Sequence, residues 1–178
     1  MVVAGVSGAG KSTLARRIGQ VLTAEHVEID ALFHGPGWTP RPEFLADVEH
    51  LTAADSWVTE WLYDGARPLL LARADLMVWL DLPVVRTMTQ VVARTVRRRV
   101  RREVLWNGNR EGPLADVLHD PDHVVRWAWT TRHRLQGLPA RVGVVRAAAG
   151  LPALPVVRLR SHRAAGRWLA GPLAAATP

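Results

Sequence analysis

The stretch Gly5, Val6, Ser7, Gly8, Ala9, Gly10, Lys11 and Ser12 constrains this chain more than any other. Two glycines five apart, followed by lysine and a small hydroxyl residue, make a loop that turns its backbone N–H groups inward around a phosphate. Glycine reaches the dihedrals that this turn demands. Such a loop needs a strand before it and a helix after it. Val2 to Val6 is a short, β-branched apolar run and reads as a buried strand. Leu14, Ile18, Val21 and Leu22 recur at helical spacing, so residues 11–23 read as a helix. The positive N-terminus of that helix faces the same anion. A nucleoside triphosphate is therefore expected on the loop, with Lys11 at its outer phosphates and Ser12 on Mg2+. Thr13 closes the set of loop residues that would touch ATP.

Strands and helices alternate along the rest of the chain. Further strands are expected at 26–29, 57–60, 76–82 and 156–159, and helices at 43–54, 66–73, 84–104, 121–136 and 162–170. Asp120 is a candidate cap for the helix at 121–136. Pro36, Pro40 and Pro42 make 34–42 a loop, and Asn107-Gly108-Asn109 with Gly112-Pro113 marks a turn. Alternation of this kind predicts a parallel sheet covered by helices on both faces, a three-layer α/β fold. The long helical stretch 86–136 interrupts it and reads as an insertion into one domain spanning 1–178.

Composition excludes several classes. The chain has no cysteine, hence no disulfide, thiolate metal site or cysteine nucleophile. That absence fits a reducing, cytoplasmic setting. No apolar run reaches the length of a spanning helix, so no membrane role is expected. The net charge is +7, but it is unevenly placed. Residues 1–85 carry six basic and eleven acidic side chains, whereas 86–178 carry seventeen basic and five acidic. A basic half points to a polyanionic partner, either nucleotide phosphates or nucleic acid. Twenty-two of the twenty-three cations are arginine, and the one lysine is Lys11 of the glycine loop.

In open α/β sheets the ligand lies at the carboxyl ends of the strands. Asp30, Glu60 and Asp81 stand at such ends. Asp30 reads either as a helix cap or as the carboxylate that orients an attacking hydroxyl, and Glu60 either as a surface acid or as a group near metal-bound water. Asp81 reads as structural. Trp38, in the loop after Asp30, is a candidate wall for an acceptor, and Arg67 a further candidate contact. Arg94, Arg97, Arg98, Arg99, Arg101 and Arg102 form a dense cationic stretch. Arg98 and Arg102 are the candidates for stabilising a transferring phosphoryl group. Residues 97–113 read as a lid that is mobile until a triphosphate neutralises it.

The order GVSGAGKST, then Ile29-Asp30-Ala31-Leu32-Phe33 with Pro36-Gly37-Trp38, then Trp57-Val58-Thr59-Glu60, then Val78-Trp79-Leu80-Asp81-Leu82-Pro83 resembles the small adenylate-kinase-like P-loop proteins of the topology-modulation type. That resemblance covers nearly the whole chain. It implies a P-loop NTPase fold with strand order 2-3-1-4-5 and an arginine-rich lid at about 95–135. It also implies ATP and Mg2+ as cofactors, with Ser12 and Glu60 on the metal side and Asp30 on the acceptor side, where the residue reading adds Trp38, Glu60 and Arg67. The expected activity is transfer of the γ-phosphoryl group of ATP to a small-molecule or nucleotide acceptor. The alternative is a nucleotide-gated nucleic-acid-binding or regulatory ATPase.

Overall fold

The computed structural model describes residues 1–120 and 123–176. Five parallel strands form its centre: β1 (Val2–Gly5), β2 (Glu25–His26), β3 (Trp57–Glu60), β4 (Met77–Leu80) and β5 (Val156–Leu159). Their order across the sheet is β2-β3-β1-β4-β5, as expected. Val2 pairs with Thr59 on one side and with Met77 on the other, so β1 is central. A strand buried on both faces must be apolar at every position. All four residues of β1 and all four of β4 are buried.

The pleat sorts these side chains into two cores. Val2, Ala4, Trp57, Met77 and Trp79 face one layer, together with Ile29, Phe44, Val48 and Leu70. Val3, Val58, Val78 and Leu80 face the other, against Leu14, Ala15 and Ile18. The second layer contains α1 (Lys11–Leu22) and α8 (His162–Trp168). The first layer contains α2 (Ile29–Phe33), α3 (Phe44–Ala53), α4 (Arg67–Arg73) and α7 (Leu138–Ala148). Period-2 alternation in β1 therefore commits one short strand to both cores at once.

The long helix α5 (Val84–Val100) follows β4 and buries Thr87, Val91 and Thr95 along one face. It ends at Val100 with Arg101 as its cap, and Arg102 turns to φ 51°, which stops the helix four residues earlier than its sequence suggested. Residues 101–120 continue as turns and short 3-10 segments before α6 (Val124–Thr130).

Four expectations need correction. The second strand ends at His26, and Ile29 begins α2 rather than ending a strand. Ile29 is wholly buried, and a buried side-chain carboxylate accepts its N–H, which draws the chain out of the sheet. The expected helix at 121–136 is α6 alone. Residues 121–122 lie outside the described residues, and the cap is His123, whose Nδ1 accepts from the Val125 N–H at 3.3 Å, not Asp120. Helix α7 was not expected at all. Leu138, Val142 and Arg146 bury one face of it at i, i+4 and i+8. Arg146 hides that signal, since a charge stands where an apolar residue was sought. It is buried because it donates to the carbonyls of Leu71, Ala74 and Pro152, satisfying the C-terminal end of α4 with a cation. Finally, the last helix runs on as a π-type turn over Leu169–Leu173 instead of stopping near 170.

Candidate active site

The glycine loop sits between β1 and α1, at the carboxyl edge of the sheet. Gly8 has φ +78° and Gly10 φ +88°, both in the left-handed region. Gly8 has a second constraint. A Cβ there would lie 2.4 Å from the Thr87 carbonyl oxygen and from Val91 Cγ2, so α5 packs directly on the loop. No side chain caps α1, which leaves its first N–H groups for an anion. The Ala9 N–H donates back to the Val6 carbonyl at 3.1 Å, closing the turn. Lys11 Nζ donates to the same Val6 oxygen at 3.2 Å. Burial lowers the pKa of Lys11, opposed by the charges of Asp30 and Glu60 and assisted by those of Arg94 and Arg67. A desolvated ammonium with incomplete counter-charge suits a phosphate site. Ser12 lies beside Lys11 and helps to hold the Glu60 carboxyl pKa down, while Thr13 is exposed.

Glu60 ends β3 with 1% of its surface exposed. Its Oε2 accepts the Ile29 N–H at 2.9 Å, and its Oε1 lies 3.5 Å from His26 Nε2. Burial pushes its carboxyl pKa up, but His26, the Ile29 N–H and Ser12 outweigh that and hold it below the ordinary value. Glu60 thus ties the end of β3 to the start of α2, the helix that carries Asp30.

Asp30 is not the cap of α2, since Glu28 occupies that position. The Asp30 carboxylate instead accepts a 2.6 Å hydrogen bond from the Tyr63 hydroxyl, which also lies 3.1 Å from His34 Nε2. The Tyr63 ring stacks on Phe33 at 3.8 Å. Burial first, then the charge of Asp30, pushes the Tyr63 phenol far above its ordinary pKa, so it stays protonated and donating.

Trp38 is committed to a different contact from the one its sequence position suggested. Its N–H donates to Asn109 Oδ1 at 3.0 Å and its Nε1 to the Arg110 carbonyl at 3.2 Å. Asn109 Nδ2 in turn donates to the Gly35 carbonyl at 2.9 Å, and Trp106 Nε1 to Glu28 Oε2 at 2.9 Å. Asn107 also donates to the His34 carbonyl. Segment 106–110 therefore lies docked across the loop after α2.

The arginines divide. Arg94 and Arg67 are those whose charge Lys11 feels. Arg94 Nε is buried without a partner, and Asp30 also acts on Arg94. Arg98 is drawn outward, 3.2 Å from Glu111 Oε1, 3.8 Å from Glu103 and 5.7 Å from the Trp106 ring. Arg102, at the exposed end of α5, shares a cavity of about 250 Å3 with Arg98, Arg99, Arg110 and Glu111. Arg67 stacks on Trp61 at 4.6 Å and pairs with Asp64. Asp81 pairs with Arg158 Nε at 2.8 Å.

Lys11, Ser12, Asp30, Glu60 and Arg67 thus come together, with Arg94 and Tyr63 among them. Sequence reasoning did not select Arg94 or Tyr63. The signal for Arg94 was its place on one helical face with Arg98, and on that face its position is nearest the loop. Tyr63 is the one tyrosine, but nothing local pairs it with a residue 33 positions earlier. Among the described residues no group of three or more His, Asp or Glu is arranged to hold a metal ion. No helix there is long and apolar enough to cross a membrane.

A sheet in the order 2-3-1-4-5 with a phosphate loop between its central strand and α1 is the fold of the P-loop kinases. No protein-family profile matches the chain, and no curated protein matches it. Solved structures that resemble it include a sugar kinase from Janibacter sp. HTCC2649, at 21% identity over 95% of this chain and 91% of that one, TM-score 0.47. Shikimate kinase from Acinetobacter baumannii, in complex with shikimate, is 16% identical over 79% of this chain and 92% of that one, TM-score 0.43. A gluconokinase from Sinorhizobium meliloti 1021 is 22% identical over 79% and 95%, TM-score 0.39.

Proposed function

We propose that this protein is an ATP-dependent phosphotransferase of the adenylate-kinase-like P-loop type, which moves the γ-phosphoryl group of ATP to a hydroxyl of a small acceptor. The observation that carries this is one electrostatic cluster. Lys11 of the phosphate loop stands in the field of Asp30, and Arg94 stands in the field of the same carboxylate. The Tyr63 hydroxyl holds that carboxylate at 2.6 Å, as an acid that orients an acceptor hydroxyl requires.

The residues fit a bound triphosphate. Two left-handed glycines, an uncapped helix and a desolvated lysine leave donors without counter-charge. The backbone from Gly8 to Thr13 would hold the phosphates, with Lys11 at the outer ones. Mg2+, when bound, would neutralise charge on the β- and γ-phosphates, with Ser12 as its protein ligand and the Glu60 carboxylate near the serine. The acceptor oxygen bonds to the γ phosphorus as the bond to the bridging oxygen breaks. ADP leaves with that electron pair, and the acceptor's proton passes to Asp30. Arg94 stabilises the equatorial charge, with Arg98 and Arg102 further out on the same segment. The nucleic-acid alternative has less support, because Arg98 and Arg99 are both engaged with Glu111.

A screen of small hydroxylated acceptors with labelled ATP tests this reading. Label should pass to at least one acceptor in the wild type and to none in Lys11→Ala. Transfer at the wild-type rate in Lys11→Ala would overturn it.

A further inference from the structure

Tyr63 is the chain's one tyrosine, and its hydroxyl meets two groups. Asp30 Oδ1 lies at 2.6 Å and His34 Nε2 at 3.1 Å. The hydroxyl has one proton to give and lone pairs with which to accept. Asp30, as the base of the reaction, enters ionised, and an ionised carboxylate only accepts. The shorter contact therefore takes the tyrosine proton, and the phenol, pushed up by burial and by Asp30, keeps it. The Tyr63 oxygen is left to accept, so His34 is the donor, through Nε2–H.

Nothing at the other ring nitrogen selects the opposite tautomer. His34 Nδ1 is buried and has no hydrogen-bond partner among the described residues. The ring is held by other rings. Phe33 meets it edge-on at 5.0 Å and Trp38 at 5.1 Å, and Trp106 lies nearly parallel to it at 6.3 Å. The backbone is fixed as well. The His34 N–H donates to the Asp30 carbonyl at 3.0 Å, and Asn107 Nδ2 donates to the His34 carbonyl. His34 is thus seated by α2, by the loop after it and by segment 106–110.

Packing accounts for the rings but not for the polar contact. A phenylalanine would fill the same box, whereas Nε2 stands 3.1 Å from a hydroxyl oxygen. What the contact supplies is direction. A tyrosine hydroxyl turns about its C–O bond. With its oxygen already accepting from His34, its proton is left pointing at Asp30. Consecutive hydrogen bonds also polarise one another, which strengthens the bond to the carboxylate.

We propose that His34 is a positioning residue, which acts through Tyr63 to fix Asp30 Oδ1 and leave the second carboxylate oxygen to the acceptor hydroxyl. This rests on the phosphotransferase reading above and adds a donor chain, from His34 to Tyr63 to Asp30, that reaches from segment 106–110 to the base.

Two measurements on the full chain test it. The first needs no acceptor. In a proton–nitrogen correlation spectrum of the histidine rings, His34, assigned by its loss in His34→Gln, should carry a proton on Nε2. A ring protonated on Nδ1 alone would overturn the proposal. The second is a double-mutant cycle in steady-state kinetics, with Mg2+-ATP and the hydroxylated acceptor that takes label in the screen. His34→Phe keeps the box filled and should lower kcat about three- to tenfold, the size of one net hydrogen bond, with KM for ATP unchanged. His34→Gln places an amide N–H near the Nε2 position and should keep most of the rate. In Tyr63→Phe, which has no hydroxyl to direct, His34→Phe should lower kcat by less than about twofold further. Equal losses in both backgrounds, or equal losses for the Phe and Gln variants, would mean that His34 only packs. If Asp30→Asn slows transfer while His34→Phe does not, this proposal alone falls. If Asp30→Asn transfers at the wild-type rate, or if no acceptor takes label, the base itself is lost and the proposal with it.

Discussion

The Tyr63 hydroxyl donates to Asp30 Oδ1 at 2.6 Å across 33 residues of sequence. The bond joins the loop after β3 to the first turn of α2, and the Tyr63 ring lies flat on Phe33 of the same helix. Tyr63 adopts φ 58°, a left-handed conformation that a side chain disfavours, and the fixed ring and hydroxyl hold it there. Asp30 is thereby held in one rotamer. Tyr63→Phe keeps the stack and removes the bond. Transfer should slow by roughly 10- to 100-fold in kcat, the range for losing a hydrogen bond to a charged group, with KM for ATP unchanged. Steady-state kinetics on the acceptor found in the screen would show it. An equal rise in KM for ATP would mean that Tyr63 acts through the nucleotide site.

Asp30→Asn separates catalysis from folding. The asparagine keeps the size and still accepts from Tyr63, but it takes no proton. Nucleotide affinity should stay near the wild type, and transfer should fall at least about 10²-fold, the usual general-base contribution. Because Glu28 occupies the cap position of α2, the melting temperature should hardly move. Unchanged turnover would remove Asp30 from the reaction.

Glu60 should make stability depend on acid. Its folded pKa lies below the unfolded value of 4.5 despite burial, because His26, Ile29 and Ser12 favour the ionised form. Its contribution is fully present above the unfolded value. It is lost as the pH falls through the lower folded value, since the folded state then binds the proton less readily than the unfolded chain. Urea unfolding of wild type and Glu60→Gln at pH 7 and in stepwise lower buffers should show a stability gap that narrows below about pH 4.5. A gap of constant size would mean that the carboxylate charge contributes nothing.

Asn109 is the latch between the arginine segment and the loop after α2. Asn109→Ala leaves the Trp38 N–H and the Gly35 carbonyl without partners. Each such loss costs about 1–3 kcal/mol when the group stays buried, less when water reaches it. A chain of this length loses roughly 2–4 °C of melting temperature per kcal/mol. Hydrogen exchange should rise together over 34–40 and 105–110. A rise confined to one segment would show that the two are not coupled through this residue.

The reading of 97–113 as a lid that awaits a triphosphate to neutralise it left out Glu111. That residue takes Arg98, and Glu103 takes Arg97 at 3.5 Å, so the segment carries its own counter-charges. Glu111 stands 13 residues from Arg98, and nothing in local spacing joins them.

The glycine loop, the buried strands β1 and β4 and the strand–helix alternation are local signals, written in glycine dihedrals and in the periods 2 and 3.6. From them the sequence by itself determined a parallel sheet covered by helices on both faces, with the glycine loop of Lys11 and Ser12 between its central strand and α1. It also placed Glu60 at the end of β3 and Asp30 just after β2, at the edge where strand ends in such sheets converge. Tertiary structure decided the partners. Whether Asp30 caps a helix or meets Tyr63, whether Arg94 or Arg98 looks toward Lys11, and whether Trp38 borders the acceptor or holds Asn109 all depend on side chains brought together from 33 to 83 residues away. Helix α7 escaped notice for the same reason: Arg146 is polar in sequence and becomes core only when the carbonyls of α4 arrive to satisfy it. A residue's period shows which face it occupies, but its energy depends on what packs against that face, and only the folded chain supplies that neighbour.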